Sequence, residues 1–283
     1  MSSPAISPHE KTADPFIRVR DLSKSFRAKT TITHALDSTT FDLQQGEFLS
    51  VVGPSGCGKS TLLMLVSGLT SPTTGSVEVG GRQVTSPISD VGIVFQEDLL
   101  LEWHSTLDNI LMQGAFRGVS KRSLRDRATE LLALVGLTEF ADKYPHELSG
   151  GMRQRASICR ALVHEPPLLL MDEPFGALDA MTRDQMALDI QDLLAGTNTT
   201  VLFITHSIAE AVMLSDRVLV FGPPPGNIVD ELVVDLPRPR HLSVRETPEF
   251  AASSGRIRSR LEDMGVIRDR TAATAGTAGA GAN

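Results

Sequence analysis

Three short stretches of this chain carry residue types at spacings suited to work on a phosphate chain. The first is Gly53-Pro54-Ser55-Gly56-Cys57-Gly58-Lys59-Ser60-Thr61, which fits the pattern G-x-x-x-x-G-K-[ST]. Its glycines let the backbone wrap an anion with no Cβ atoms in the way, its amide N–H groups point inward, and a following helix start adds partial positive charge. On this pattern Lys59 reaches the β- and γ-phosphates and Ser60 ligates Mg²⁺. The second stretch ends an apolar run in Asp172-Glu173; Asp172 suits the holding of Mg²⁺, and Glu173 suits a base that polarises a water for in-line attack. The third, Leu148-Ser149-Gly150-Gly151, offers a hydroxyl and two bare amides at the start of a helix, a further anion site. The first two together describe a hydrolase of ATP or of GTP.

Such groups need a scaffold that presents loops at strand ends. The continuous apolar run 48–52 reads as a strand buried on both faces, placed directly before the phosphate loop, and TLLMLVSGL after the loop reads as a helix. Residues 168–171 form a second such strand, and the two acids at its end lie where α/β sheets bind ligands. Alternation marks further strands over 16–20 and around Phe41 and Leu43; others are expected at 77–79, 91–95, 201–205 and 218–221. Leucines at 124, 131, 132 and 134 among charged residues predict an amphipathic helix over 120–135, and 246–264 reads as another. Strands alternating with helices point to an α/β fold with a mostly parallel sheet. No internal repeat is visible.

Composition narrows the class. The 283 residues are 41% hydrophobic and 22% charged, as in an ordinary globular protein. No run nears the ~20 apolar residues of a membrane-crossing helix, and the first 15 residues lack the apolar core of a secretory signal. A net charge of −7 argues against a nucleic-acid partner. Two cysteines, Cys57 and Cys159, suggest no disulfide framework. Both read as packed thiols without function, although the place of Cys57 in the phosphate loop would allow sensitivity to alkylation. Residues 1–14 and the small-residue stretch from Thr271 read as loose ends.

The third stretch decides between nucleotide hydrolases, because Leu148-Ser149-Gly150-Gly151-Met152 resembles the signature motif of the ABC ATPases. The resemblance covers roughly residues 15–240 and extends to further positions in the family's order. Gln96 resembles the Q-loop glutamine, which senses Mg²⁺ and water; Ala177-Leu178-Asp179 resembles the D-loop that crosses a dimer interface; His206 resembles the switch histidine that contacts the γ-phosphate. Phe26 resembles the aromatic that stacks on adenine. The resemblance implies a P-loop NTPase (RecA-like) core with an antiparallel β subdomain and an inserted helical subdomain at about 97–165, the whole ATPase domain spanning 15–245 and a C-terminal helix and tail following over 246–283. It also implies ATP and Mg²⁺ as cofactors, with Mg²⁺ held by Ser60, Gln96 and Asp172, and a second copy of the chain whose Ser149, Gly150 and Gly151 meet the γ-phosphate across the interface. The chain departs from the commoner form at Met152, where the family usually has glutamine.

Four stretches, 94–110, 171–186, 204–221 and 234–240, are similar to the nitrate, sulfonate and taurine importers within that family. That branch implies an ATPase peripheral to the cytoplasmic face of the cell membrane. Its partners would be membrane-spanning permease subunits and, indirectly, a solute-binding protein. Trp103 falls where the branch has a tryptophan facing the permease, though Glu102 stands in place of the usual proline. The alternative is a soluble ABC ATPase uncoupled from transport. The DNA-repair members carry a coiled coil between phosphate loop and signature, and no heptad run occurs in that interval here.

Overall fold

The computed structural model describes residues 14–28, 31–176 and 178–267. Ala177, the end from Thr271 and all of the expected N-terminal tail but Asp14 lie outside them. In chain order, β1 (Ile17–Ala28) and β2 (Thr31–Leu43) lead to β3 (Phe48–Val52), α1 (Lys59–Val66), β4 (Thr74–Val79), β5 (Arg82–Gln83) and β6 (Gly92–Val94). Three helices follow, α2 (Thr106–Arg117), α3 (Lys121–Leu134) and α4 (Gly150–Leu162), before the chain returns through β7 (Leu168–Asp172). Next come α5 (Ala180–Leu194), β8 (Thr200–Thr205), α6 (Ile208–Leu214), β9 (Arg217–Phe221), β10 (Ile228–Val233) and α7 (Pro248–Asp263).

The strands form two sheets. A small antiparallel one runs β2-β1-β4-β5, and a larger one runs β10-β9-β3-β8-β7-β6. Within the larger sheet every pair is parallel except β10 with β9. Period-two alternation divides its side chains between two cores. Leu49, Val51, Leu168, Leu170, Leu202, Ile204, Leu219 and Phe221 pack with α1 and the antiparallel sheet. Phe48, Val52, Leu169, Met171, Val201, Phe203, Val218 and Val220 pack on the opposite face, with residues from α2 to α7. Strands buried on both sides must be apolar throughout, which is why 48–52 and 168–171 lack alternation.

The helices begin where their caps dictate. Ser120 accepts a hydrogen bond from the Ser123 N–H at the start of α3, and Thr247 accepts one from Phe250 N–H at the start of α7. Both helices fall within the ranges read from sequence. Two strands differ from expectation. β1 runs on to Ala28, well past residue 20, because register shifts between Val19 and Ser25 and the left-handed Asp21 (φ 45°) break the alternation that would reveal it. β6 is shorter than 91–95: it pairs only with β7, and the chain then turns through the left-handed Leu99 (φ 48°), where Arg160 donates to the carbonyls of Asp98 and Leu99 at 2.7 and 2.6 Å.

The register of the large sheet positions the site. Val52 lies beside Thr205, Asp172 beside Ile204, and Val94 beside Met171. Adjacent parallel strands therefore release the phosphate loop, His206, the acid pair and Gln96 at a single edge, the carboxyl ends where α/β sheets bind ligands.

Candidate active site

The phosphate loop is shaped by its neighbours. Gly58 sits at φ 96°, and a Cβ there would lie 2.2 Å from the Ala35 carbonyl oxygen, so only glycine allows both the conformation and the close approach of β2. Lys59 opens α1 and is buried; its ammonium donates to the carbonyls of Gly53 and Pro54, both at 3.0 Å. Those bonds hold the cation inside the loop's curve. Ser55, Gly56, Gly58, Lys59, Ser60 and Thr61 line a cavity of about 410 Å³, closed on its other sides by Ala35, Gln96 and Glu173. Cys57 is fully buried beneath the loop, and burial pushes its thiol up against the opposing pull of Lys59. A thiol so placed is a weak nucleophile, and alkylation sensitivity does not follow from its position in the loop.

The acids meet the loop directly. The Ser60 hydroxyl donates to Asp172 Oδ1 at 3.0 Å, and burial raises the Asp172 carboxyl while this bond lowers it. Glu173 is held by its own backbone, with N–H to the Ile204 carbonyl at 2.9 Å, in a left-handed conformation (φ 45°) that costs a residue with a Cβ about 1–2 kcal/mol. In that conformation its carboxylate faces an ammonium and an imidazole: Oε1 is 3.7 Å from Lys59 Nζ, and Oε2 is 3.0 Å from His206 Nδ1. The sheet therefore gathers Lys59, Ser60, Asp172, Glu173, His206 and Gln96 into one constellation around a phosphate-sized cradle. A hydroxyl, a carboxylate and an amide oxygen are hard donors. That set fits Mg²⁺, which binds through few protein oxygens and completes its shell with phosphate and water.

Ser149, Gly150, Gly151 and Asp179 lie elsewhere. Ser149 caps α4 by accepting from Met152 N–H at 3.3 Å, and Asp179 caps α5 by accepting from Thr182 N–H at 3.0 Å. The two helix starts touch, since a Cβ on Gly151 would fall 2.6 Å from Thr182 Cγ2. Ser149, Gly150 and Asp179 are exposed, and none of the four lines the phosphate cavity. A second cavity of about 600 Å³ lies between this face and the strand ends; Gln96 lines both. Met152 packs its side chain against the larger core, which accounts for an apolar residue at that point of the signature. Phe26 is half exposed on β1, paired with Thr33, with the Lys24 ammonium 5.0 Å above its ring.

A family model described as ABC transporter matches residues 36–176. The taurine import ATP-binding protein TauB of Rhizobium johnstonii is 45% identical over 240 residues, covering 83% of this chain and 92% of that protein. The chain belongs to the ATP-binding subunits of ABC transporters. The nitrate import ATP-binding protein NrtD of a Synechocystis strain is 40% identical over 251 residues, covering 87% of this chain and 94% of its own. The ATP-binding cassette MJ0796, solved as a dimer in a post-hydrolysis state with ADP and Pi, superposes with a TM-score of 0.70 at 30% identity, covering 78% of this chain and 99% of that one. The chain is accordingly an ABC-type ATPase with the RecA-like core, antiparallel sheet and helical subdomain of that fold.

One part of this ATPase's site was not legible in any motif. Gly226 presses on the back of the phosphate loop: a Cβ there would lie 1.8 Å from the Cys57 carbonyl oxygen. Its N–H donates to the Ala35 carbonyl at 3.3 Å and its own carbonyl accepts from Asp37 N–H at 2.8 Å. Gly226 thus ties the loop after β9 to β2 beneath Cys57. The sequence signal, Pro223-Pro224-Pro225-Gly226, marks a turn and no more.

Proposed function

We propose that this chain is the peripheral ATPase of an importer for a small anion or organic solute of the nitrate, sulfonate or taurine type, working as a pair of copies on the cytoplasmic face of the membrane. The observation that carries the reading is the separation of two anion sites within one chain. The phosphate cavity is lined by residues of the phosphate loop, while the exposed start of α4 presents Ser149, Gly150 and Gly151 to the outside. Two copies facing head to tail bring each α4 start onto the other's cavity, which makes two equal sites. Asp179, beside it at the start of α5, would lie in the same interface.

Within each site the geometry supports the following roles. Lys59 and the loop amides bind the β- and γ-phosphates, and Phe26 stacks on the adenine. Ser60, Asp172 and Gln96 would hold Mg²⁺, which supplies charge neutralisation on the phosphates. Glu173 orients the attacking water and accepts its proton, with His206 steering that carboxylate at 3.0 Å and stabilising the γ-phosphate charge. The partner's signature amides add donors that exist only in the closed pair.

The permease reading is supported by an apolar surface near Gln96. Trp103 (72% exposed) and Phe116 (76%) stand out from the surface, and Phe116 borders a groove of about 760 Å³ lined also by Ile88, Val91, Leu99 and Met112. An exposed aromatic at the edge of a groove, with a second exposed on the same chain, is in keeping with a protein contact. No helix among the described residues is long and apolar enough to cross a membrane. Tagged Glu173→Gln, recovered from detergent-solubilised native membranes with and without ATP, tests this. Co-purification of a polytopic permease is expected. Recovery only from the soluble fraction, without a membrane partner, would leave an ABC ATPase uncoupled from transport.

A further inference from the structure

A buried acid outside the phosphate cavity joins two segments that the reaction uses separately. Glu210, on α6, has a side chain only 6% exposed. Its Oε2 accepts the hydrogen bond of the Thr205 hydroxyl, and that hydroxyl accepts from Ser207 N–H at 3.0 Å. The Ser207 hydroxyl in turn accepts from Glu210 N–H at 3.3 Å. Thr205 and Ser207 flank His206: the carboxylate fixes the Thr205 hydroxyl, which in turn holds Ser207 N–H, while the Ser207 hydroxyl caps α6 on the Glu210 backbone. The other oxygen, Oε1, lies 3.5 Å from Arg183 Nε on α5, and Arg183 Nη2 donates to the Leu178 carbonyl at 2.9 Å. Leu178 immediately precedes Asp179, the cap of α5.

Neither Glu210 nor Arg183 lines the phosphate cavity. A buried carboxylate is costly unless paired, and an apolar residue in its place would pack as well or better. Burial indeed raises the Glu210 carboxyl, with Thr205 and Arg183 opposing. What the carboxylate provides that an apolar contact lacks is a polar link in two directions: one oxygen is hydrogen-bonded to Thr205, and the other lies in an ion pair with Arg183, which itself donates to the Leu178 carbonyl.

We propose that Glu210 and Arg183 are positioning residues for hydrolysis, which lock His206 and the Leu178–Asp179 turn into one fixed relation. The proposal rests on the reading above, in which His206 serves a chain's own γ-phosphate and Asp179 faces its partner. Under it, the link makes the segment that a chain shows to its partner follow the state of its own site.

The test is steady-state ATP hydrolysis by the full chain carrying Glu210→Gln, Arg183→Gln or both, beside His206→Ala. Active sites are counted with a fluorescent ATP analogue in every sample. Each single substitution is expected to lower kcat per active site about tenfold or more, as small misplacements of reacting groups do, with KM for ATP changed by less than about twofold. The double variant should lose no more than the worse single, because both residues act through one link. Wild-type kcat in either single variant, losses that multiply in the double, or a fall explained entirely by fewer active sites would overturn the proposal. Arg183→Lys serves as the second probe if Arg183→Gln does not fold: it keeps the charge but not the fork to both Glu210 and Leu178, and wild-type kcat there overturns the proposal as well. Full activity of His206→Ala would overturn the reading of His206 and the link with it. A dependence on His206 together with unaffected pair variants would overturn the link alone.

Discussion

Gly226→Ala probes the least obvious support of the phosphate loop. The ideal Cβ would lie 1.8 Å from the Cys57 carbonyl oxygen and 3.2 Å from Phe221 Cδ2, and both Cys57 and Phe221 are fully buried. Side-chain carbons essentially never approach another heavy atom within 3.0 Å, so the two backbones must part by about 1.2 Å. Overpacking of this kind costs about 1–3 kcal/mol in unfolding free energy. Because the atom displaced is a phosphate-loop carbonyl, two residues before Lys59, drawing the loop back into its binding shape would take a similar amount from ATP affinity. That predicts a roughly 5- to 150-fold rise in Kd. Calorimetric titration with Mg·ATP and urea unfolding of the same preparations measure both. Gly255→Ala in α7, where a Cβ meets nothing within 4 Å, is the control and should gain up to about 1 kcal/mol from helix propensity. Wild-type Kd and wild-type stability for Gly226→Ala would refute the idea that this contact shapes the loop.

Three other outcomes follow from the same geometry. His164 faces Arg117 at 2.6 Å, and burial together with that charge pushes its imidazole from 6.5 down to about 4. The unfolded chain therefore takes up a proton first as pH falls from 6.5 to 4, so the stability this group contributes above pH 6.5 is lost across that window. At pH 5 the loss is at most about 2 kcal/mol, reduced by solvent screening of this partly exposed ring, and is read as the difference in unfolding free energy between wild type and His164→Gln at pH 7 and pH 5. Arg240 is buried, and its guanidinium donates to the carbonyls of Val212, Met213, Ser215, Val234 and Leu236 around the end of α6; Arg240→Met, which orphans them, should cost about 3–5 kcal/mol in urea unfolding. Phe26→Ala should raise the Kd for ATP by roughly 5- to 150-fold, the worth of one base stacked on an aromatic ring, with unfolding unchanged.

What could be read from sequence was what local spacing encodes. The loop Gly53–Thr61 and the acids after 168–171 need only a strand, a turn and a helix start, all within a dozen residues. Ser149 as a helix cap and 120–135 as a helix are equally local. Other features depend on which strands lie side by side. Nothing in the spacing between Cys57 and Gly226 announces that β9 borders β3, and therefore that the turn after it reaches the phosphate loop. The same holds for Glu210 with Arg183, and for Arg240, whose partners come from the end of α6 and the segment after β10. The bulges in β1 and the single-partner edge strand β6 hide for another reason: one breaks the alternation, the other has too few paired residues to outlast a competing turn.

That one chain's α4 start completes the other's site is tested by Gly150→Asp in a Glu173→Gln background. Gly150 is exposed at the first position of α4, with only Arg153 Nη2 near its missing side chain, at 3.9 Å. An acidic residue there is favourable for the helix start and repels a phosphate, so folding is spared and anion contact is not. Sedimentation equilibrium with ATP should find a dimer for Glu173→Gln and only monomer once Gly150→Asp is added, while the monomer keeps its affinity for ATP. An ATP-dependent dimer that survives Gly150→Asp, or a monomer that loses ATP because of it, would contradict the claim.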